Sequence, residues 1–262
     1  MREITDIAEL KMIELDILKA IHSFCVENSI KYFLWGGTLL GSIRHNGFIP
    51  WDDDIDIAMP RRDYTRFMNE FTSDRYTALS CEKNRDYPYA YGKVIDTKTL
   101  KKEPIRNKVE IGVDVDIFPI DDYKDFALDA TNSKKRLALI EKNSYAYALH
   151  YKNNSLRNIL KNLYCFSLRL GGNKFCKKIN NIAQSGYSDS SDFMLYADAN
   201  IKKPLVIGRE LIASFELHKF EDFEFYVPTN YDGLLRLCYG DYMQLPPEEE
   251  RITHHINSVY WK

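Results

Sequence analysis

The sequence has few cysteines, no long apolar run and no excess of charge of either sign, and each of these absences argues against a class of protein. Its five cysteines are widely spaced and none forms a Cys-x-x-Cys pair, which argues against a disulfide framework or a zinc knuckle and favours a reducing compartment. No apolar stretch approaches the ~20 residues that span a bilayer, and the charged N-terminal segment lacks the apolar stretch of a signal peptide. We therefore expect a soluble, cytoplasmic protein.

Charge is balanced over the chain, with 36 Lys and Arg against 38 Asp and Glu for a net charge of −2 at pH 7. This balance argues against a nucleic-acid partner bound by bulk electrostatics. The 262 residues are enough for one large domain or two small ones, with an ordinary 45% of hydrophobic residues to form a core. The acidic residues are nevertheless concentrated locally, because "DDDID" at 52–56 holds four aspartates in five positions.

Apolar periodicity predicts strands and helices that mix over the first 120 residues, followed mostly by helices. The predicted elements are a helix over 6–29, a strand over 31–35, a helix over 39–44 capped by Thr38, strands in "DDIDIAM", "RYTALSC", "YAYGKVID" and "IGVDVDIFPID", a helix in "RRDYTRFMNEF" with Pro60 at its start, helices over 122–183 interrupted near Asn153 and Gly171-Gly172, a strand over 221–228 and a helix over 230–240. The tail "LPPEEERITHHINSVYWK" is predicted to be irregular. This pattern indicates an α/β or α+β fold with a helical elaboration.

The run "WDDDIDIAM" alternates carboxylates with apolar residues, as a half-buried strand does. On such a strand Asp54 and Asp56 share one face, while the isoleucines next to them face the core. The run "VDVDIFPI" repeats the pattern with Asp114 and Asp116. A strand carrying Asp116 beside the first one would complete a three-carboxylate site, and such carboxylates resist joint ionisation unless a cation lies between them. Oxygen ligands of this kind suit Mg²⁺ or Mn²⁺, and two such ions would hold a phosphoryl group during an in-line displacement.

A glycine pair precedes this acidic strand. Gly36 and Gly37 lead into a predicted helix, whose N-terminus offers backbone N–H groups and a favourable dipole to an anion, and Thr38 adds a hydroxyl group. We therefore predict that this turn binds a phosphate beside the metal-binding strand. Asp52 lies on the Asp54 face if the strand begins early, and three roles stay open for it: metal ligand, acceptor of the substrate hydroxyl proton, or the end of the loop.

The acidic run has two other interpretations, a solvated loop and a Ca²⁺-binding loop. It lacks the EF-hand spacing, because the sixth and twelfth positions counted from Asp52 are Ile57 and Asp63 instead of Gly and Glu. The combination of a glycine pair, an Asp-x-Asp strand and a second Asp-x-Asp strand is much more specific than any one of its parts.

The segment "GGTLLGSIRHNGFIPWDDDIDIAM" at 36–59 resembles the hallmark of the LicD family, within the nucleotidyltransferase-fold superfamily. "YGKVIDTKT", "VDVDIFPID" and "NYDGLLRLCYGDYMQLPPEEER" are similar to further family segments in the same order. The resemblance implies a metal-dependent transferase that moves phosphocholine from CDP-choline to a hydroxyl group of a surface glycan such as lipopolysaccharide or teichoic acid. It also implies one catalytic domain over 1–262, with a small mixed sheet flanked by helices at 1–125, a helical elaboration at 126–200, and a strand, helix and tail at 201–262.

The same resemblance assigns roles to individual residues. It implies that Asp54 and Asp56 are metal ligands, that Asp116 is the third carboxylate, and that Gly36, Gly37 and Thr38 form the substrate-binding turn. The zinc-binding cysteines of animal relatives have no evident counterpart here, so no zinc is expected.

Further candidates are basic or aromatic. Arg44 and His45 follow the glycine turn, so they either contact a phosphate or stabilise a helix end. Arg251, His254 and His255 form a basic tail cluster that could close over a nucleotide, supply acid or base groups, or stay solvated.

Lys93 in "YGKVID" matches a family lysine, and it either contacts a phosphate or lies on the surface. Trp35, Trp51 and the tyrosines near 87–91 are candidates for a cage around a quaternary ammonium group.

The expected partners are a CDP-alcohol donor, with CDP-choline favoured, and a glycan acceptor. Whether this acceptor is linked to a lipid stays open. Relatives such as fukutin-related protein use CDP-ribitol, so transfer of a polyol phosphate from CDP-ribitol or CDP-glycerol stays open. An NTP-dependent nucleotidyltransferase and a Ca²⁺-dependent glycan-binding module also stay open. The basic helical stretch from Lys152 to Lys178 indicates either peripheral contact with the inner face of a membrane or, as the favoured interpretation, a solvated face.

Overall fold

A computed structural model of the chain describes residues 1–106, 108–123, 126–149, 151–152, 155–184, 193–196, 205–252 and 258–262. The helices in this part are α1 (Ile7–Glu27), α2 (Gly36–His45), α3 (Arg61–Glu70), α4 (Phe126–Tyr147), α5 (Leu156–Arg169), α6 (Lys174–Gln184) and α7 (Tyr231–Tyr239). The strands are β1 (Arg2–Ile4), β2 (Phe33–Leu34), β3 (Asp56–Pro60), β4 (Tyr76–Leu79), β5 (Gly92–Asp96), β6 (Thr99–Lys102), β7 (Asp114–Tyr123), β8 (Phe193–Tyr196), β9 (Leu205–Gly208), β10 (Phe215–Phe220), β11 (Phe223–Pro228) and β12 (Ser258–Trp261). The mixture of helices with mixed sheets confirms the α+β class.

The central sheet has the strand order β2-β3-β7-β5-β4, and β8 and β9 extend it from the far end of β7. The strands β3 and β7 run parallel to each other, whereas the other neighbours pair antiparallel. In the parallel pair Asp56 lies opposite Asp116, so the two predicted Asp-x-Asp strands are direct neighbours in register.

Two smaller sheets complete the fold. A three-stranded antiparallel sheet has the order β1-β12-β6 and brings both ends of the chain together. A hairpin of β10 and β11 packs against β2 and α2.

The main core lies between the central sheet and the first helices. Ile17, Leu18 and Ile21 of α1 are fully buried, as are Ile57 of β3 and Ile117 of β7. Helix α1 packs on β5 and β7, and α3 packs on β3 and β7. Because these side chains alternate along the two parallel strands, the opposite side of each strand is left for polar groups.

Most predicted elements are confirmed, and the exceptions at Thr38 and in the tail have different causes. The expected cap at Thr38 is wrong, because α2 begins at Gly36 and Trp35 occupies the N-cap position without a side-chain hydrogen bond. The tail is not irregular throughout, because its last residues form β12. That strand depends on pairing with β1 and β6, which are distant in the sequence and leave no local signal.

The predicted helical region is confirmed as α4, α5 and α6, with the break at Gly171 and Gly172 between the last two. The break predicted near Asn153 is confirmed by the end of α4 at Tyr147 and the start of α5 at Leu156, although Asn153 itself lies outside the described residues. Among the described residues no helix is long and apolar enough to cross a membrane.

Candidate active site

The carboxylates of the acidic run alternate between the core and the solvent side. Asp52, Asp54 and Asp56 are partly exposed, whereas Asp53 and Ile55 between them are buried. The alternation therefore extends four residues before Asp56, although β3 itself begins at Asp56, later than the strand predicted over "DDIDIAM". Three carboxylates consequently share one side of the chain.

Asp56 and Asp116 form the centre of the site. The backbone fixes their register, because Asp116 N–H donates to Ile55 O at 3.0 Å and Trp35 N–H donates to Asp56 O at 3.0 Å. Burial raises the pKa of Asp56 well above its usual range, and the neighbouring charges of Asp54, Asp116 and Asp52 raise it further. Burial and the repulsion between neighbouring carboxylates thus both oppose joint ionisation of the cluster.

Lys93 is the cation closest to the third carboxylate. It lies within β5 and is 3% exposed, so the surface alternative is wrong, while the phosphate contact stays a prediction. Its ammonium group donates to Asp116 Oδ1 at 2.5 Å and also to Asp114 Oδ2. Burial raises the pKa of Asp116 to about 7 even though Lys93 opposes this shift.

Asp114 holds this lysine in place. Burial by itself disfavours its ionised form, yet the ammonium groups of Lys101 and Lys93 hold the pKa of Asp114 below its usual range. Lys101 contributes a 2.8 Å hydrogen bond to Asp114 Oδ1 from β6. Asp114 is therefore an internal counterion that positions Lys93 beside Asp116.

The glycine turn lies directly against the carboxylates. Gly36 has a φ of +56°, a conformation that favours glycine, and a Cβ at this residue would lie 3.2 Å from Asp56 Oδ2. A Cβ on Gly37 would overlap Asp52 Oδ2. The pair is thus explained by the close approach of two carboxylates to the N-terminus of α2, while the predicted phosphate contact stays a prediction.

Thr38 connects the turn to the acidic strand. Its Oγ1 accepts a hydrogen bond from Asp56 N at 2.8 Å, and the threonine is 3% exposed. Its role is therefore to fix the backbone of β3 against α2 instead of capping the helix.

Two arginines lie close to each other, and one of them lies over Trp51, the residue before the acidic run. Arg44 donates to Tyr242 O at 2.7 Å, and Arg251 donates to Pro246 O at 2.9 Å while lying 5.6 Å over the Trp51 ring. Burial and the nearby Arg251 guanidinium lower the pKa of Arg44, so the two cations are close to each other. Both are held by backbone carbonyl groups, which leaves their charges available for an anion.

The remaining basic candidates are less informative. His45 accepts a long hydrogen bond from Arg44 Nε at 3.5 Å, and its ring lies edge-on to Trp51. His254 and His255 lie outside the described residues.

The structure does not support a single aromatic cage. Trp35 and Tyr87 are buried in the core at 4% and 0% exposure. Tyr89 and Tyr91 have the Lys93 ammonium at 5.0 and 5.6 Å from their ring centres. The rings proposed for a ligand cation therefore either pack in the core or contact cations of the protein itself.

Tyr239, the last residue of α7, is a site residue that the sequence reasoning missed. Its hydroxyl lies 3.9 Å from the position of a Cβ on Gly36. It interacts electrostatically with Asp56 and Asp52 on one side and with Arg44 on the other. The family-like segment "NYDGLLRLCYGDY" was the signal that could have found it.

The side chains of the site decide whether it suits the predicted metal ion. In the described part of the chain no group of three or more His, Cys, Asp or Glu side chains is arranged to hold a metal ion. The donor set nevertheless fits, because carboxylate oxygens suit Mg²⁺ or Mn²⁺, and the negative charges of Asp54, Asp116 and Asp52 add to burial in raising the pKa of Asp56. Asp116 is paired with Lys93 in this arrangement, and the metal stays a prediction.

Comparisons with known proteins agree with the geometry. Residues 29–151 match the family described as LicD/FKTN/FKRP, nucleotidyltransferase domain. Lipopolysaccharide cholinephosphotransferase LicD of Haemophilus influenzae is 29% identical over 99% of this chain and 99% of its own length. An uncharacterized protein of Rickettsia typhi is 33% identical over 98 residues, which are 37% of this chain and 32% of that protein. The matched region contains the glycine turn, the acidic strands and Lys93.

Proposed function

Because the chain belongs to the LicD family, we propose that it transfers phosphocholine to a hydroxyl group of a cell-surface glycan. The observation that carries this proposal is the register of Asp56 against Asp116 beside the Gly36 turn. Carboxylates on two neighbouring strands next to a helix N-terminus suit a cation and a phosphate in contact with each other. The name of the Haemophilus relative supports lipopolysaccharide as the class of acceptor.

We further propose CDP-choline as the donor. A nucleoside diphosphate ester carries its negative charge on two adjacent phosphates, and such a group needs more than one cation. Arg44 and Arg251 provide two neighbouring guanidinium groups, and neither is bonded to a carboxylate within the described residues. Their planar donor arrays suit phosphate oxygens.

The residues that would hold a divalent ion are Asp54, Asp56 and Asp116, with Asp52 as a further candidate. When bound, such an ion would neutralise the diphosphate and stabilise the charge on the leaving CMP. The protein contributes positioning, because Lys93 and the Asp56 backbone contact with Thr38 fix the carboxylates.

The acceptor hydroxyl oxygen then forms a bond to the phosphorus that bears choline. The bond from this phosphorus to the CMP oxygen breaks, and the hydroxyl proton passes to a base. The catalytic contribution of the chain is therefore mostly orientation and electrostatics, as is general for phosphoryl transfer.

The test is a donor screen with a product readout. CDP-choline, CDP-ribitol, CDP-glycerol, CTP and ATP are each added with Mg²⁺ or with a chelator, and the free energy of unfolding is followed by thermal shift. A ligand at 100 times its dissociation constant adds about 2.7 kcal/mol to this free energy. We expect metal-dependent stabilisation by CDP-choline, and CMP release when lipopolysaccharide is supplied.

Matched variants make the screen specific. Asp56→Asn should lose both effects, whereas Asp74→Asn, the same change in an exposed bend after α3, should keep them. Stabilisation by CDP-ribitol or CDP-glycerol alone would assign a polyol-phosphate transferase. Pyrophosphate release from CTP or ATP would assign a nucleotidyltransferase, and binding of Ca²⁺ and glycan without turnover would contradict an enzymatic role.

A further inference from the structure

Helix α5 exposes its apolar side to solvent. The residues on this side are between 45% and 73% exposed, and we call them the α5 face: Leu156, Ile159, Leu160, Leu163, Phe166 and Leu170. They recur at three- and four-residue spacing, so they form one continuous stripe. Single exposed apolar residues are ordinary on a protein surface, but a contiguous stripe of this size marks an interaction site.

The orientation of α5 is fixed by its polar side. Asn162 forms hydrogen bonds with both the N–H and the C=O of Tyr151, and Arg169 donates to Ala146 O at 2.8 Å. Cys165 is buried on the same side. The helix therefore turns its polar residues toward the preceding loop and α4 and its leucines outward, which is the reverse of an ordinary surface helix.

The segment that surrounds the α5 face is strongly basic. Residues 142–188 contain eight Lys and Arg residues and no Asp or Glu, although the whole chain has a net charge of −2. Lys152, four residues before α5, and Arg157, in its first turn, are exposed, and within the described residues neither forms an ion pair. An apolar stripe bordered by uncompensated cations is complementary to an anionic lipid surface.

We propose that the α5 face docks this protein on an anionic membrane surface, with α5 lying in the plane of the interface. The helix has 14 residues, too few to span a bilayer, which needs about 20. Its leucines would enter the boundary between headgroups and acyl chains, while the cations remain at the level of the phosphates. The favoured interpretation of the sequence, a solvated helical face, does not explain why the exposed side is the apolar one.

A second copy of the chain is a poorer occupant of the same surface. A symmetric contact through α5 would bring two acid-free segments, each with eight cations, against each other. Like charges across an interface oppose association. Anionic lipids offer the opposite charge together with an apolar layer.

Membrane docking does not depend on the proposed reaction, but one consequence does. If the acceptor glycan is lipid-linked, docking would hold the enzyme at the surface where that acceptor is present. Variants that lose docking should then lose transfer to the lipid-linked acceptor while keeping donor binding in the thermal-shift assay. This difference separates failure of docking from failure of the proposed function.

The test is flotation of the full chain with phosphatidylcholine vesicles, prepared with and without phosphatidylglycerol. We expect binding to the anionic vesicles that weakens with salt. Lys152→Gln with Arg157→Gln should weaken it about fivefold for each cation removed. Leu160→Ser with Leu163→Ser should weaken it roughly tenfold for each leucine. These four side chains are exposed, so the variants should keep the melting temperature of the parent.

Matched controls lie on other elements of the fold. Leu217→Ser and the pair Lys31→Gln with Lys219→Gln change exposed residues of the same types and should float like the parent. Leu163→Trp should show a blue-shifted emission that brominated lipids quench. Equal flotation of the α5 variants and the parent would overturn the proposal, as would no flotation of the parent. A concentration-dependent dimer that the Leu160 and Leu163 changes abolish, without vesicle binding, would assign the face to a second copy.

Discussion

Replacing Lys93 by methionine tests the electrostatic centre of the site. Lys93 is 3% exposed, and its ammonium group contacts both Asp114 and Asp116. Methionine keeps most of the chain length and removes the charge. Breaking a buried ion pair by removing one partner costs about 3 to 5 kcal/mol, because the other partner is left buried and uncompensated. That cost is a large share of the 5–15 kcal/mol of unfolding free energy that is typical of domains.

The cost should depend on pH in a defined direction. The pKa of Asp116 is about 7 in the folded chain with Lys93 present, and the variant should raise it further. The pKa of an aspartate in the unfolded chain is about 3.9. Between this pH and the folded pKa, the folded state therefore binds more protons than the unfolded state. The free energy of unfolding therefore falls as the pH rises between the unfolded and folded pKa values of Asp116, and it falls further in the variant.

The measurement is urea unfolding of the parent and of Lys93→Met, followed by tryptophan fluorescence at about pH 5.5 and about pH 8, on either side of the Asp116 titration. We expect the loss of unfolding free energy to be larger at the higher pH. Lys101→Met is the matched control, because it removes a cation from Asp114 while Lys93 remains, and its cost should be smaller. A loss below about 1 kcal/mol at the higher pH, or one that does not shrink on acidification, would refute the reasoning.

Three other substitutions test the geometry around this centre. Gly36→Ala puts a Cβ 3.2 Å from Asp56 Oδ2 at a φ of +56°. The rate of CMP release should fall on the order of 100-fold, while the free energy of unfolding in urea should fall by only about 1 to 2 kcal/mol. A fall in rate no larger than the loss of stability explains would contradict a role in the site. Thr38→Val removes the acceptor of the Asp56 N–H and should cost about 1 to 3 kcal/mol in the same unfolding assay; an unchanged transition would show that this bond contributes nothing. Tyr239→Phe should lower turnover roughly tenfold, whereas Tyr231→Phe at the other end of α7 should not, and equal rates for the two would remove Tyr239 from the site.

Local sequence patterns predicted the strands of the site correctly. The alternation of Asp54 and Asp56 with isoleucines is a property of a single strand, because side chains alternate from one face to the other. The helices around residues 6–29 and 122–183 followed from periodicity in the same way. Start points were less accurate, as α2 begins at Gly36 because glycine tolerates its positive φ there.

Contacts between distant segments could not be predicted in this way. The sequence left two positions open for Lys93, on the surface or against a phosphate. Sheet pairing excluded the surface by placing β5 beside β7, where Lys93 contacts Asp114 and Asp116. No sequence pattern indicated that Lys101 contacts Asp114, because this contact joins β6 to a strand of another sheet. Tyr239 reaches the site only because α7 packs close to the glycine turn.

The sequence by itself therefore determined the candidate residues of the site, since the spacing of Gly36, Gly37, Asp54, Asp56 and Asp116 can be read along the chain. The tertiary structure decided which charges compensate each other and which faces remain exposed. Helix α5 illustrates the difference: periodicity predicts an apolar stripe, and the usual inference is that the stripe packs inward. Only the hydrogen bonds that turn its polar side toward α4 show that the stripe faces outward. The orientation of a helix depends on the elements that pack against it, and the apolar periodicity of the helix itself does not identify those elements.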